Sequence, residues 1–275
     1  MLTKVKNIAS RFKELVMIET PQQRWKKSGL SEGDTVLIHS NIKRTLVEYR
    51  RNKISISPQE ILESFFDVIG PKGTLLLPLF NFDFAKGVPF DIRNSQSQMG
   101  ALTEAGRKFS GAVRTGHPIY SFAVIGYKAS EFVGIDNVSG YSEDSPFGVL
   151  KRLNGKIGSL DLEDQNSMTF YHHVEEVMRV DYRYFKSFSG EYTDSSGETK
   201  NKKYDLYVRD IEHGVMTDVN PAGELLWNAG LYTGFRPKDG PGLRLVNAQA
   251  MFHFVEELIE NGKALGTLYS IGEFK

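Results

Sequence analysis

The spacing of apolar residues changes period several times along the chain, and each change predicts an element. Leu2, Val5, Ile8, Phe12 and Leu15 recur at helical spacing and mark an amphipathic helix. Thr35-Val-Leu-Ile-His39, just after Gly33-Asp34, is a short continuous apolar run and predicts a buried strand. Ser57-Pro58-Gln59-Glu60 then has the form of a capping box with proline in the first helical position. Ile61, Leu62, Phe65, Phe66 and Ile69 line one face of that helix, and Gly70-Pro71 stops it. Gly73-Thr-Leu-Leu-Leu-Pro78 predicts a second buried strand. Residues 79–99 lack periodicity, and Asn81-Phe-Asp-Phe84 with Pro89-Phe-Asp91 suggests an ordered functional loop.

A helix is expected from Ala101 to Phe109, and strands over 121–126 and 155–160. The second of these leads through a polar loop into a helix near Thr169. After Val180 the texture becomes aromatic-rich, and Asp194-Ser-Ser-Gly197 is a turn signal joining two antiparallel strands. Asn247 caps a final helix with Ala248, Met251, Phe252, Val255, Leu258 and Ile259 on one face. The pattern predicts an α/β fold, a central sheet flanked by helices, with a β-rich insertion over 181–235 inside one domain spanning 1–275.

Composition narrows the function classes. Lys plus Arg and Asp plus Glu both number 34, and this zero net charge argues against a general nucleic-acid binder. The absence of cysteine removes disulfides, thiolate-bound zinc and a thiolate nucleophile. Lys4, Lys6, Arg11 and Lys13 interrupt the N-terminal apolar residues, so no signal-peptide core forms, and no apolar run is long enough to span a bilayer. A soluble, cytoplasmic protein with small-molecule substrates and no membrane or nucleic-acid partner is expected. Homo-oligomerisation stays open.

Three segments can carry chemistry. In Asn166-Ser-Met-Thr-Phe-Tyr-His-His-Val-Glu-Glu176, the residues Thr169, His172 and Glu175 recur every third position at a helix start. An imidazole oriented by a carboxylate can take a proton from a weak nucleophile near neutral pH. His172 and His173 could equally be a solvated or core-satisfied pair. In Arg114-Thr-Gly-His-Pro-Ile-Tyr-Ser121, His117 precedes a proline and is biased to a turn or extended conformation entering a strand that starts near Ser121. On its own it has the form of an ordinary His-Pro turn. Lastly, His39-Ser-Asn-Ile-Lys43 ends the first strand, and Lys43, Arg44, Arg50, Arg51 and Lys53 form a local basic run. That run is either a solvated surface or a contact for a phosphate-bearing ligand. No dinucleotide fingerprint, P-loop, nucleophile elbow or zinc-protease motif occurs, and a metal site from His117, His172 and Glu175 has no diagnostic spacing.

In order, several stretches resemble the aminoglycoside 3-N-acetyltransferase family. They are Val36-Leu-Ile-His-Ser40, Gly70-Pro-Lys-Gly-Thr-Leu-Leu-Leu-Pro78, Phe90-Asp91, Ser97-Gln-Met-Gly100, Arg114-Thr-Gly-His-Pro-Ile-Tyr-Ser-Phe122, Ser145-Pro-Phe-Gly148 and Thr169-Phe-Tyr-His-His-Val-Glu175. The last has the family's T-x-x-H-x-x-E form. The resemblance covers residues 31–176 and weakens after about 180. It implies an acyl-CoA donor, an amine acceptor, no metal, and an α/β fold distinct from that of the GNAT acetyltransferases. It assigns His172 as the catalytic base and Glu175 as its partner. It also assigns His39, Ser40, Asn41, Ile42, Lys43, Ser121, Ser145, Phe147 and Gly148 to the coenzyme A site. His117, at the meeting of the two substrates, joins Asp83 and Thr169 as acceptor-side residues. Asn81-Phe-Asp-Phe84 and Thr169-Phe-Tyr-His-His173 look more like members that act in surface-polysaccharide biosynthesis, and the basic run suits an anionic nucleotide sugar where a polycationic drug would favour an acidic cleft. A nucleotide-linked amino sugar is therefore the preferred acceptor, with an aminoglycoside antibiotic as the alternative.

Overall fold

The computed structural model describes residues 18–272, so the helix expected over residues 2–15 lies outside the described residues. The chain runs through α1 (Pro21–Lys27), β1 (Thr35–Ser40), α2 (Lys43–Arg51), α3 (Pro58–Ile69) and β2 (Thr74–Pro78). Then come β3 (Phe90–Asp91), α4 (Ala101–Arg107), β4 (Val113–Arg114), β5 (Phe122–Gly126), α5 (Pro146–Arg152), β6 (Lys156–Leu160) and α6 (Phe170–Val177). The last third holds β7 (Arg183–Thr193), β8 (Thr199–Arg209), β9 (Val215–Thr217), α7 (Asn220–Asn228), β10 (Thr233–Gly234), β11 (Leu243–Asn247), α8 (Ala248–Glu260) and β12 (Tyr269–Ile271).

Seven strands form the central sheet, in the order β10-β11-β6-β1-β2-β5-β4. Its centre, β6-β1-β2, is parallel, and the strands on either side are antiparallel. A parallel strand covered on both faces carries a continuous apolar run, and every residue of β2 and all but the last of β1 are buried. Alternate side chains then serve opposite layers. Val36 and Ile38 join Trp25 and Phe65 under α1 and α3, whereas Leu37 joins Tyr171 and Met251 under α6 and α8. Trp25 stacks on Phe65 at 4.8 Å and donates its ring N–H to Ser64 at 2.8 Å, so a large ring is buried without an orphaned polar atom.

The local signals act as their chemistry predicts. Ser57 and Glu60 form the reciprocal capping box of α3, and Gly70, at φ 64°, takes the left-handed turn that ends it. The Asn247 side chain accepts the Ala250 N–H at the start of α8. The turn at Asp194 joins β7 and β8 in register from Arg183↔Arg209 to Thr193↔Thr199. This hairpin pairs through β7 with β3, the short strand inside the expected loop of residues 79–99.

Other elements left little periodic trace. Residues of α2 are largely charged, and only Thr45 and Tyr49, one turn apart, are buried. Lys43, Arg44, Arg50 and Arg51 of the basic run thus lie on a helix. Residues 181–235 also contain α7 in addition to strands. β11 was absent from the predicted pattern because buried Arg244 interrupts its apolar residues.

Candidate active site

The carboxyl ends of parallel strands leave backbone and loops facing one crevice, the usual place for a ligand in an open α/β sheet. Here the ends of β1, β2 and β6 open into a cleft of about 670 Å³. His39, Ser40, Asn41, Ile42 and Lys43 form one wall, continued by Leu46, Val47 and Arg50 of α2. Gln98, Met99 and Gly100 face them. A smaller cavity of about 190 Å³ adjoins it, lined by Phe80, Phe82, Tyr120, Thr169 and His172 among others. His39, Met99 and Asn166 belong to both linings, so the two spaces meet there.

At the smaller cavity, α6 presents His172 one turn before Glu175. The His172 Nδ1 lies 2.7 Å from Glu175 Oε2. A carboxylate can only accept, so Nδ1 carries the hydrogen and Nε2 is left with its lone pair. Glu175 is fully buried. Tyr182 donates to its Oε1 at 3.1 Å, and Arg183 Nε stands 2.7 Å from Oε2, although that N–H points off the line to the oxygen. Burial alone would raise the Glu175 carboxyl; Arg183, His172 and Tyr182 outweigh it and hold it below its ordinary value. Burial and the Arg183 guanidinium lower the His172 imidazole, and Glu175 opposes them only in part. His172 is therefore a neutral ring at neutral pH. Its side chain keeps 19% of its surface exposed, and the Tyr141 ring packs edge-on against it at 5.4 Å.

His173 takes the opposite direction. It is buried, bonds the Tyr141 carbonyl at 2.7 Å, and is lowered to about 4 chiefly by burial. His39 is buried too and lowered to about 3, and its Nε2 has no hydrogen-bond partner.

The assigned residues divide on this geometry. His39, Ser40, Asn41, Ile42 and Lys43 line the larger cleft, and Thr169 lines the smaller cavity with His172. Four others expected at the coenzyme site face neither. Ser121 is buried, hydrogen-bonded to Arg114 and the Leu79 carbonyl. Ser145, Phe147 and Gly148 are buried around the start of α5, and a Cβ at Gly148 would stand 2.0 Å from the Glu143 carbonyl oxygen. His117, expected between the substrates, is fully buried and lines neither space. Its Nδ1 accepts the N–H groups of Ile119 and Tyr120, so it staples its own turn. Asp83 bonds Gln98 and pairs with Lys86, one residue away from the cavity-lining Phe82.

Further residues were not singled out in the sequence. Tyr182 and Arg183 follow α6 after a four-residue connection, residues 178–181, where a charge opening an aromatic strand was the one available signal. Asp164 lines the smaller cavity but spends both oxygens elsewhere, on Arg244 at 2.7 Å, Tyr171 at 2.8 Å and Tyr232 at 2.7 Å. Gly223 makes room for it, because a Cβ there would stand 2.6 Å from the Asp164 carboxyl carbon. Among the described residues no three His, Asp or Glu side chains are grouped to hold a metal ion. None of their helices is long and apolar enough to cross a membrane.

The family model described as Aminoglycoside 3-N-acetyltransferase matches residues 37–260. The chain belongs to this family. It is 28% identical over 182 residues to aminoglycoside N(3)-acetyltransferase IX of Micromonospora chalcea, covering 58% of this chain and 62% of that enzyme. It is 28% identical over 171 residues to aminoglycoside N(3)-acetyltransferase VII of Streptomyces paromomycinus, covering 54% and 56%. The chain thus spans about six-tenths of the length of these curated relatives. Among solved structures, the aminoglycoside acetyltransferase AAC(3)-Xa superposes with a TM-score of 0.74 at 24% identity, over 88% of this chain and 91% of that one. AAC-IIIb, solved as a binary complex with CoASH, gives 0.72 at 22% identity, over 88% and 95%. The α/β fold expected from the sequence is therefore that of the 3-N-acetyltransferases.

Proposed function

We propose that this family member is a coenzyme A-dependent N-acetyltransferase acting on an amine of an aminoglycoside. The reading rests on one observation above all: a neutral, carboxylate-held His172 faces the smaller of two cavities that meet at His39 and Asn166. The larger cleft takes the acyl-CoA and the smaller cavity the amine-bearing ring. The amine lone pair attacks the thioester carbon while His172 Nε2 accepts an amine proton. The C–S bond then breaks, and the departing thiolate recovers that proton from His172. Buried, neutral and unpaired, His39 is suited to donate Nε2–H to the oxyanion as it develops. A chain without cysteine favours direct transfer over a thioester relay.

The sequence favoured a nucleotide-linked amino sugar as acceptor, whereas both curated relatives are named for aminoglycosides. One feature keeps the first acceptor as a second reading. A polycation is best held by free carboxylates. Yet Asp164, the carboxylate on the wall of the smaller cavity, is already saturated by Arg244, Tyr171 and Tyr232. A thiol-release assay with acetyl-CoA decides between them. Faster turnover of a kanamycin-type drug supports the aminoglycoside; faster turnover of a nucleotide-linked amino sugar replaces it.

A further inference from the structure

The hairpin of β7 and β8 lies in the part of the chain where the family motifs fade, yet its first residue reaches the reacting histidine through Glu175. Arg183, 7% exposed, opens β7. Its guanidinium has three separate anchors: Glu175 through Nε at 2.7 Å, the Tyr207 carbonyl at 3.2 Å and the Thr217 hydroxyl at 3.3 Å. Tyr207 belongs to β8 and Thr217 to β9, and Thr217 also lines the smaller cavity. One cation thereby ties the carboxylate behind His172 to the cavity wall in front of it.

We propose that Arg183 is a positioning residue that keeps His172 unprotonated and aimed at the acceptor, by fixing Glu175 as an ionised, immobile acceptor for Nδ1–H. The inference rests on the reading of His172 as the base. Its logic is electrostatic. Glu175 alone would favour the imidazolium, since an opposite charge at hydrogen-bond distance stabilises the protonated ring. Such a histidine would be a poor base at neutral pH. Burial of the ring opposes that attraction most, and the buried guanidinium adds to the opposition while keeping the carboxylate charged and in place. The other groups around the ring do not substitute for it. From α6 there are Glu175 and the more distant Glu176, which bonds Ser139. Tyr141 lies on the preceding loop, Tyr182 precedes β7, and Arg209 on β8 acts on the ring more weakly than Arg183. Tyr120, on the wall of the smaller cavity, packs against Tyr141 at 4.8 Å between rings.

The test titrates the His172 ring by NMR in the folded protein and, separately, records kcat/KM for the acceptor against pH. Arg183→Met removes the charge. Arg183→Gln also removes it but keeps a donor for Tyr207 and Thr217, and so serves where the Met variant fails to fold. In either variant the His172 titration and the acid limb of the rate are expected to move up by about one pH unit. With Arg183→Lys, which retains the charge, both are expected to stay near wild type. An unmoved titration in folded Arg183→Gln overturns the proposal, as does an equal movement in Arg183→Lys. The NMR arm needs no turnover, so failure of the base assignment, seen as activity surviving in His172→Asn, is distinguishable from failure of this inference.

Discussion

Two buried carboxylates flank the smaller cavity, and each has solved the same problem with an arginine and tyrosine hydroxyls. Asp164 holds Arg244, Tyr171 and Tyr232; Glu175 holds Arg183, Tyr182 and His172. A buried charge needs such partners, because an unpaired one costs several kcal/mol. The difference is the third partner. A tyrosine whose pKa is pushed well above 10.0 by burial, like Tyr171 and Tyr232, has no role in proton traffic at neutral pH. His172 can exchange a proton there, and it alone among the six partners combines that with a ring edge left open to the cavity. The first cluster is closed and structural, whereas the second has one movable proton.

If this contrast is right, the largest effect belongs to the exposed member of the open cluster. His172→Asn should lower kcat by ~10²–10⁴-fold, the usual cost of losing a general base, with KM for acyl-CoA little changed. Steady-state kinetics on the folded variant checks it; wild-type turnover would reduce the Glu175 cluster to a second structural one. The closed cluster should answer in stability instead. Asp164→Ala strands the Arg244 guanidinium, which is 1% exposed, and should cost about 3–5 kcal/mol, visible as a fall in Tm. Its surviving folded fraction should still titrate His172 as wild type does. A loss of turnover without a loss of stability would erase the distinction between the two clusters.

The buried histidines sharpen the same contrast through pH. His39 is lowered to about 3, and His117 and His173 to about 4, burial being the main cause in each, against an ordinary 6.5. Between those values the unfolded chain binds protons that the folded one refuses, so stability rises with pH across the window. Acidification from pH 6.5 towards 4 should therefore lower Tm progressively. A folded His117→Asn variant, having one fewer suppressed histidine, should show a shallower slope. An unchanged slope would mean that His117 is already protonated in the folded state.

How much of this was legible in the sequence depended on whether an element carries its signal in its own residues. The strands at the sheet centre, the capping box at Ser57, the turn at Asp194 and the cap at Asn247 are all local, and the structure has them where the pattern put them. The pairing of His172 with Glu175 is also local, one helical turn apart. What stayed hidden depends on distant partners. Arg244 can sit inside β11 only because Asp164, 80 residues away in sequence, neutralises it. The N-terminal turn of α2 is tied down by Asp161, which accepts from the Thr45 N–H and hydroxyl. Ser121, Ser145, Phe147, Gly148 and His117 stand in the motif stretches, and the structure buries them away from the two cavity linings, a placement that depends on packing partners distant in sequence.

The smallest effect concerns the basic side of the larger cleft, where neither cluster reaches. Arg50 lines that cleft beside Lys43. Arg51 lines a neighbouring space of about 550 Å³ with Lys43, Arg44 and Glu48. Because Arg50 shares its wall with His39–Lys43, the anion it meets belongs to the donor if that cleft takes acyl-CoA. Exposed charge contacts are worth about 0.2–1 kcal/mol each. The double variant Arg50→Ala, Arg51→Ala should therefore raise KM for acyl-CoA by roughly fivefold, with kcat and the KM of the acceptor little changed. The increase should shrink as salt is added, since the Debye length falls from ~10 Å at 0.1 M to ~3 Å at 1 M. A rise confined to the acceptor's KM would move the phosphate from donor to acceptor and favour the nucleotide-linked sugar. No change in either constant would make the run a solvated helix face, and the charge of the site would then be set by its two buried clusters alone.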